Sequence, residues 1–238
     1  MTNAVQQRDE ASGESPGDVV AIHVWDWPVR VFHGSIVALV TLAIVTAYIG
    51  GEAKEWHMRA GYGVCALVVF RVLWGFLGTR HARFASFLRG PREAVRYARS
   101  FARRAPPPSV GHNPLGGWSV IALLLALLVQ AGTGLFANDD LLMEGPLVKF
   151  ISDRLSDQIT TYHHLNVWTI GILIGMHIAA VISHWAFAKE DLVRPMVTGR
   201  KYLHRSLADQ GVDKVPHGRA IVLLAGSALS VWWLVTRV

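Results

Sequence analysis

Cysteine is almost missing from this chain, since Cys65 is the only thiol in 238 residues. A single cysteine excludes a disulfide framework, an iron–sulfur cluster held by the chain itself and the C-x-x-C-H attachment of a covalent haem. Any cofactor must be held by other donors. Charge is also sparse, with Asp, Glu, Lys and Arg making up 17% of the residues. Carboxylates are absent from the long apolar runs described below, which disfavours a path for metal ions, because such paths usually add acids to histidines. The first 31 residues are polar and lack the apolar core of a cleavable signal peptide. The expectation is a disordered cytoplasmic tail over 1–31.

Apolar residues, by contrast, are abundant: 52% of the chain, with nine tryptophans and a mean hydropathy of +0.32. Those values belong to an integral membrane protein. Runs of roughly 20 apolar residues match a hydrocarbon layer about 30 Å thick, and five occur, at about 32–49, 57–78, 116–136, 161–187 and 219–236. They are apolar all round, and lipid offers the backbone no hydrogen bonds, so helices and not barrel strands are expected. The predicted architecture is all-α: a four-helix core over 32–187 and a fifth, C-terminal helix within 219–238.

Orientation follows from arginine. Residues 79–115 carry Arg80, Arg83, Arg89, Arg92, Arg96, Arg99, Arg103 and Arg104 against Glu93 alone, whereas 137–160 carries five acids against Lys149 and Arg154. Positive loops stay inside. The arginine-rich loop 79–115, the connector 188–218 and the N-terminus are therefore expected in the cytoplasm, and 137–160 outside. Within that loop, residues 91–104 read as a helix lying along the surface and ended by the prolines at 106–108. The net charge of +6 then reports topology and contact with anionic lipid. It is a poor argument for nucleic-acid binding.

Histidines interrupt the apolar runs. His33 lies near the inner start of the first span, His57 at the outer start of the second, and His163 and His177 near the outer end and deeper within the fourth. A strongly polar side chain in hydrocarbon needs a partner. By depth, His57 goes with His163 and His33 with His177. From His163 to His177 is 14 residues, roughly 40° short of four helical turns, with a rise of about 21 Å, so they share a face. His164 falls roughly 220° from His177 and points elsewhere. His184 is a second choice to His177, close enough to the inner boundary to meet water.

Imidazoles facing one another from different helices at two depths suit axial ligation of two non-covalent b-type haems, which need neutral nitrogen donors on both sides of a flat apolar ring. The rival readings are interhelical hydrogen bonding, a metal-ion transporter and a cofactor-free membrane anchor. Gly34, Gly61, Gly63, Gly132, Gly134, Gly171 and Gly175 would leave room for a bulky ring. Arg71 stands 14 residues after His57, on the same face and about 21 Å deeper, level with the inner pair. There it could meet a haem propionate, or it could snorkel to the interface. His112 is either on the side of a quinone site or a packing residue, and Asn113 reads as a helix cap ahead of Pro114.

Seven stretches in this order, "HVWDWPVRVFH" (23–33), "HMRAGY" (57–62), "RVLWGFLGTRHARF" (71–84), "GHNPLGGWSVIALLL" (111–125), "QAGTGLF" (130–136), "HHLN" to "GMH" (163–177) and "KEDLVRPMVTGRK" (189–201), resemble the bacterial cytochrome b561 group. That group is related to the membrane cytochrome b subunits of nickel–iron hydrogenase and formate dehydrogenase. The resemblance implies a four-helix diheme core of the bacterial inner membrane. His33 and His177 would ligate the inner haem and His57 and His163 the outer. It also implies electron relay between a quinone or other acceptor and a redox partner, such as a c-type cytochrome or a dehydrogenase. The long arginine-rich loop and the fifth span depart from the shortest members of the group.

Overall fold

The computed structural model describes residues 19–104, 106–107, 109–139, 143–212 and 214–237. The expected tail over 1–18, Pro108 of the proline run and residues 140–142 of the acidic loop lie outside the described residues. Strand β1 (Val19–His23) leads into helix α1 (Trp27–Ile49). Asp26 caps α1: its Oδ1 accepts from the Val29 amide at 2.8 Å, and Pro28 occupies the first turn, where a missing N–H is harmless. Gly50 and Gly51, both at positive φ, reverse the chain into α2 (Ala53–Leu77). A side chain at either position would strain that turn.

The arginine-rich loop folds into two short helices, α3 (Phe84–Phe87) and α4 (Pro91–Ala102). Helix α4 buries Ala94 and Tyr97 and turns its arginines outward, as expected of a surface-lying amphipathic helix. Next comes α5 (Pro114–Gly134), whose cap is Asn113, with Oδ1 accepting from the Gly116 amide at 2.8 Å. Helix α6 (Asp153–Ser183) runs on into a π-helical turn at His184–Ala188. After α7 (Val193–Thr198), strand β2 (Arg200–His204) pairs antiparallel with β1, in register Val19↔His204 through His23↔Arg200. Helix α8 (His217–Arg237) completes the described chain.

Five helices, α1, α2, α5, α6 with its π-turn, and α8, are long and apolar enough to cross a membrane. The protein is mainly helical and multi-pass. At its centre α2 packs against α1, α5 and α8, while α6 packs chiefly on α5. Val64, Val68, Phe70 and Trp74 of α2 lie in the core. Outward-facing Leu125, Ile172, Val222 and Trp232 are exposed, as a lipid-facing surface requires.

The sequence expectation differs from the structure at one end. Residues 19–31 are not tail: they form β1, the capping Asp26 and the first turn of α1. Strand β1 exists because β2, far along the chain, satisfies its backbone groups, a pairing that local composition does not reveal. The helices also outrun the apolar stretches, as where α6 begins at Asp153. Its polar first turns keep their backbone hydrogen bonds beyond the apolar layer.

Candidate functional site

Helix α6 carries a histidine at each of two depths, and across from each stands a second imidazole. The rings of His33, on α1, and His177 have centroids 6.5 Å apart. Those of His57, on α2, and His163 are 6.2 Å apart. Two axial metal–nitrogen bonds of about 2 Å, with roughly 1.1 Å from each nitrogen to its ring centre, separate a ligating pair by about 6 Å. Both pairs therefore have the span of a shared metal.

The His57/His163 pair is oriented from behind. His57 Nδ1 lies 2.8 Å from the Ala43 carbonyl, which can only accept, so Nδ1 holds the proton and Nε2 keeps its lone pair. His163 Nδ1 is 3.1 Å from the Gln130 carbonyl and 3.1 Å from Thr133 Oγ1, which sets the same tautomer. A hydrogen bond from the far nitrogen is the usual device for aiming a ligand imidazole. The Gln130 side-chain amide meets His163 Nε2 at 3.1 Å and is held in turn by Asn166, which donates to Gln130 Oε1 at 2.8 Å. In this structure that amide occupies the His163 Nε2 lone pair.

Space accompanies the pairs. Helix α6 makes no extensive packing with α1 or α2, and only 6% of its most apolar stretch is buried. A Cβ added at Gly34, Gly61, Gly132, Gly171 or Gly175 meets nothing within 4 Å. The other two predicted glycines serve close packing: Gly63 faces Leu39, and Gly134 faces the His163 ring, whose Cε1 a Cβ would meet at 3.0 Å. Paired imidazoles, a correct tautomer and unfilled helix faces fit non-covalent haem. Among the described residues no group of three or more His, Cys, Asp or Glu side chains could hold a bare metal ion.

Arg71 does not snorkel. It is 2% exposed, donates from one guanidinium nitrogen to the Ala82 carbonyl at 3.2 Å and sits over the Phe84 ring at 5.3 Å. Facing inward was one of two outcomes its spacing allowed, and packing of the 79–84 turn against α2 decided it. His112 packs between Trp25 and Phe87, each with its ring centroid 4.6 Å away. Its Nδ1 is buried with no hydrogen-bond partner. Burial pushes this imidazole down to about 3, and the charges of Arg71, His81 and His177 add to the effect. It is a neutral polar ring close enough to His177 to feel its charge.

The remaining histidines separate clearly. His164 is exposed, pointing away as the helix arithmetic predicts. His184 does not meet water: it is buried, with Nε2 3.1 Å from both Tyr97 Oη and Asn113 Nδ2, and Nδ1 2.9 Å from the Ala180 carbonyl. It ties α4, α5 and α6 together. Asp26 was missed as a hub by the sequence reading, although the D-W-P pattern of a capped helix start was its signal. The Gln130–Asn166 pair was missed too, and polar residues inside predicted spans were its signal.

The model of the family described as prokaryotic cytochrome b561 matches residues 24–199. Among curated proteins, the chain is 24% identical over 229 residues to the probable Ni/Fe-hydrogenase B-type cytochrome subunit of Bradyrhizobium diazoefficiens, covering 81% of this chain and 90% of that one. The protein of the same name from Rhizobium leguminosarum bv. viciae is 28% identical over 229 residues, covering 81% and 93%. The probable Ni/Fe-hydrogenase 1 B-type cytochrome subunit of Escherichia coli K12 is 22% identical over 215 residues, covering 76% and 91%. No solved structure matches the chain. With about three quarters of its length matched by the family model, the chain belongs to the prokaryotic cytochrome b561 family, and is a multi-pass b-type cytochrome, a haem-bearing electron-transfer protein of the membrane.

Proposed function

We propose that the chain holds two b-type haems, one between His33 and His177 and one between His57 and His163, and relays single electrons across the membrane. The observation that carries this reading is the pair of facing imidazoles at each of two depths, 6.5 Å and 6.2 Å between centroids. Haem held by these histidines would supply one-electron exchange at iron, and with a histidine on each side it would leave no ligand position for oxygen or substrate. The chain's own part is to aim four nitrogens, exclude water and compensate charge. Arg71, level with His33 and His177 by helix rise, and His112 would provide a buried cation and an unpaired polar ring towards the haem carboxylates.

The relatives are named as hydrogenase cytochrome subunits. On that likeness, the electron donor we propose is a membrane-associated dehydrogenase of hydrogenase type docked on the outer side, with quinone on the receiving end and a c-type cytochrome as the other candidate partner. The arginine-rich end, with α4, is assigned to the cytoplasm. A metal-ion transporter is less well supported because it would need clustered donors, and a cofactor-free anchor because it would have no use for the tautomer-setting bonds behind His57 and His163.

Haem-to-protein ratio by pyridine haemochrome tests the reading. Purified wild type should give two haems per chain, and alanine at any one of the four histidines should remove one haem and leave the other at least partly bound. A ratio near one in wild type, or loss in His164→Ala with none in His163→Ala, would overturn it.

A further inference from the structure

At the end of the bundle where α1 and α8 both begin lies a cavity of about 500 Å³. Among the described residues its polar lining is His23, Arg30, Lys214 and His217, with Trp27 beside them, and includes no carboxylate. Arg30 lines the cavity, and its Nε is buried with no hydrogen-bond partner. Trp27 Nε1 donates to His217 Nδ1 at 2.9 Å, and the two rings stack at 6.2 Å with 7° between their planes. That bond takes up Nδ1, so the free ring nitrogen of neutral His217, Nε2, carries the proton and is a donor. A concave lining in which donors and cations predominate among the described residues calls for an anion.

Depth and surroundings identify its kind. Two membrane-crossing helices start at this cavity, which places it at the level of lipid headgroups, and Trp27 is an aromatic residue of the type enriched there. Helices α1 and α8 each pack on α2 and not extensively on one another, and meet through Trp27 and His217. A lipid-facing seam therefore continues from the cavity between them, flanked by exposed Val31 and Ile221.

We infer that this cavity binds the phosphate of an anionic phospholipid, with Arg30 and Lys214 as its cations and the acyl chains in the seam between α1 and α8. A guanidinium fork matches phosphate oxygens, and basic pockets between transmembrane helices are suited to anionic headgroups. Bound there, one lipid would bridge the start of α8 to the start of α1, which the protein itself joins only lightly.

The test uses the full haem-loaded chain, delipidated and returned to nanodiscs of phosphatidylcholine with or without phosphatidylglycerol. Native mass spectrometry then reads retained lipid. Wild type should retain phosphatidylglycerol and not phosphatidylcholine. The Arg30→Ala, Lys214→Ala double variant should lose roughly tenfold or more of that retention, with haem per protein unchanged. Equal retention in the double variant would overturn the site, and so would equal retention of the two lipids by wild type. Inorganic phosphate that displaced the lipid fully would overturn the lipid assignment in favour of a free-phosphate site. Should the double variant also lose haem, Lys214→Glu alone decides, since Lys214 lies outside the helices: undiminished retention there overturns the proposal.

Discussion

Asp26 and Trp74, 48 residues apart, share a buried hydrogen bond of 3.0 Å from the indole Nε1 to the carboxylate Oδ2. The same oxygen accepts from Thr79 Oγ1 at 2.6 Å, and Oδ1 from the Val29 amide at 2.8 Å. One acid thus caps α1 and holds the end of α2 and the turn after it.

Asp26→Ala removes the cap and leaves the indole N–H and the hydroxyl without a buried acceptor, a loss of about 3 kcal/mol. Asp26→Asn, which keeps an acceptor but not the charge, should lose less. Thermal unfolding in detergent, followed by circular dichroism, reads both. A wild-type midpoint for Asp26→Ala would mean the network holds nothing.

Arg71 should tune one site and not the other. A fixed positive charge beside the inner pair favours the reduced, less positive haem, so Arg71→Leu should lower the potential of the His33/His177 haem and leave the His57/His163 haem nearly unchanged. An electrostatic difference of about 1 kcal/mol corresponds to roughly 40 mV for one electron. Arg71→Lys should fall between, since it keeps charge but loses the fork. Equal shifts in both haems by redox titration would remove Arg71 from the inner site.

Tyr97 should shape stability in alkali. Burial pushes its phenol up from 10.0 to about 12, with Glu190 adding to the effect. The unfolded chain therefore releases this proton at lower pH than the folded one. Stability from this group is complete below about pH 10 and is lost as pH rises towards 12. Tyr97→Phe should flatten that part of the pH–stability curve. At neutral pH it should cost about 1 kcal/mol through the lost bond to His184.

Topology is open to direct labelling. In a Cys65→Ala background, Arg92→Cys on exposed α4 should resist an impermeant thiol reagent in intact cells and react after lysis, whereas Ser152→Cys should react in both. The reverse pattern would exchange the compartments that the two histidine pairs face.

What could be read along one dimension was read there. Long, mainly apolar runs announce the five long helices because lipid forces every backbone group to bond within its own segment. Rise and angle per residue place His163 and His177 on one face of α6 and turn His164 off it, because both quantities belong to a single helix. The same arithmetic ranks His33 with His177 and His57 with His163 by depth.

Contacts between segments were decided only by the tertiary structure. Spacing alone left Arg71 to meet a haem propionate or to snorkel to the interface, and the turn carrying Ala82 and Phe84 holds it buried instead of snorkelling. His184 lies near the predicted boundary, close enough to meet water, but α4 covers it with Tyr97 and Phe101. Strand β1 looked like tail because half of a strand's hydrogen bonds belong to its neighbour, here β2. A sequence carries the period of each helix, but which faces meet depends on how all of them pack at once, and packing is a property of the assembled chain.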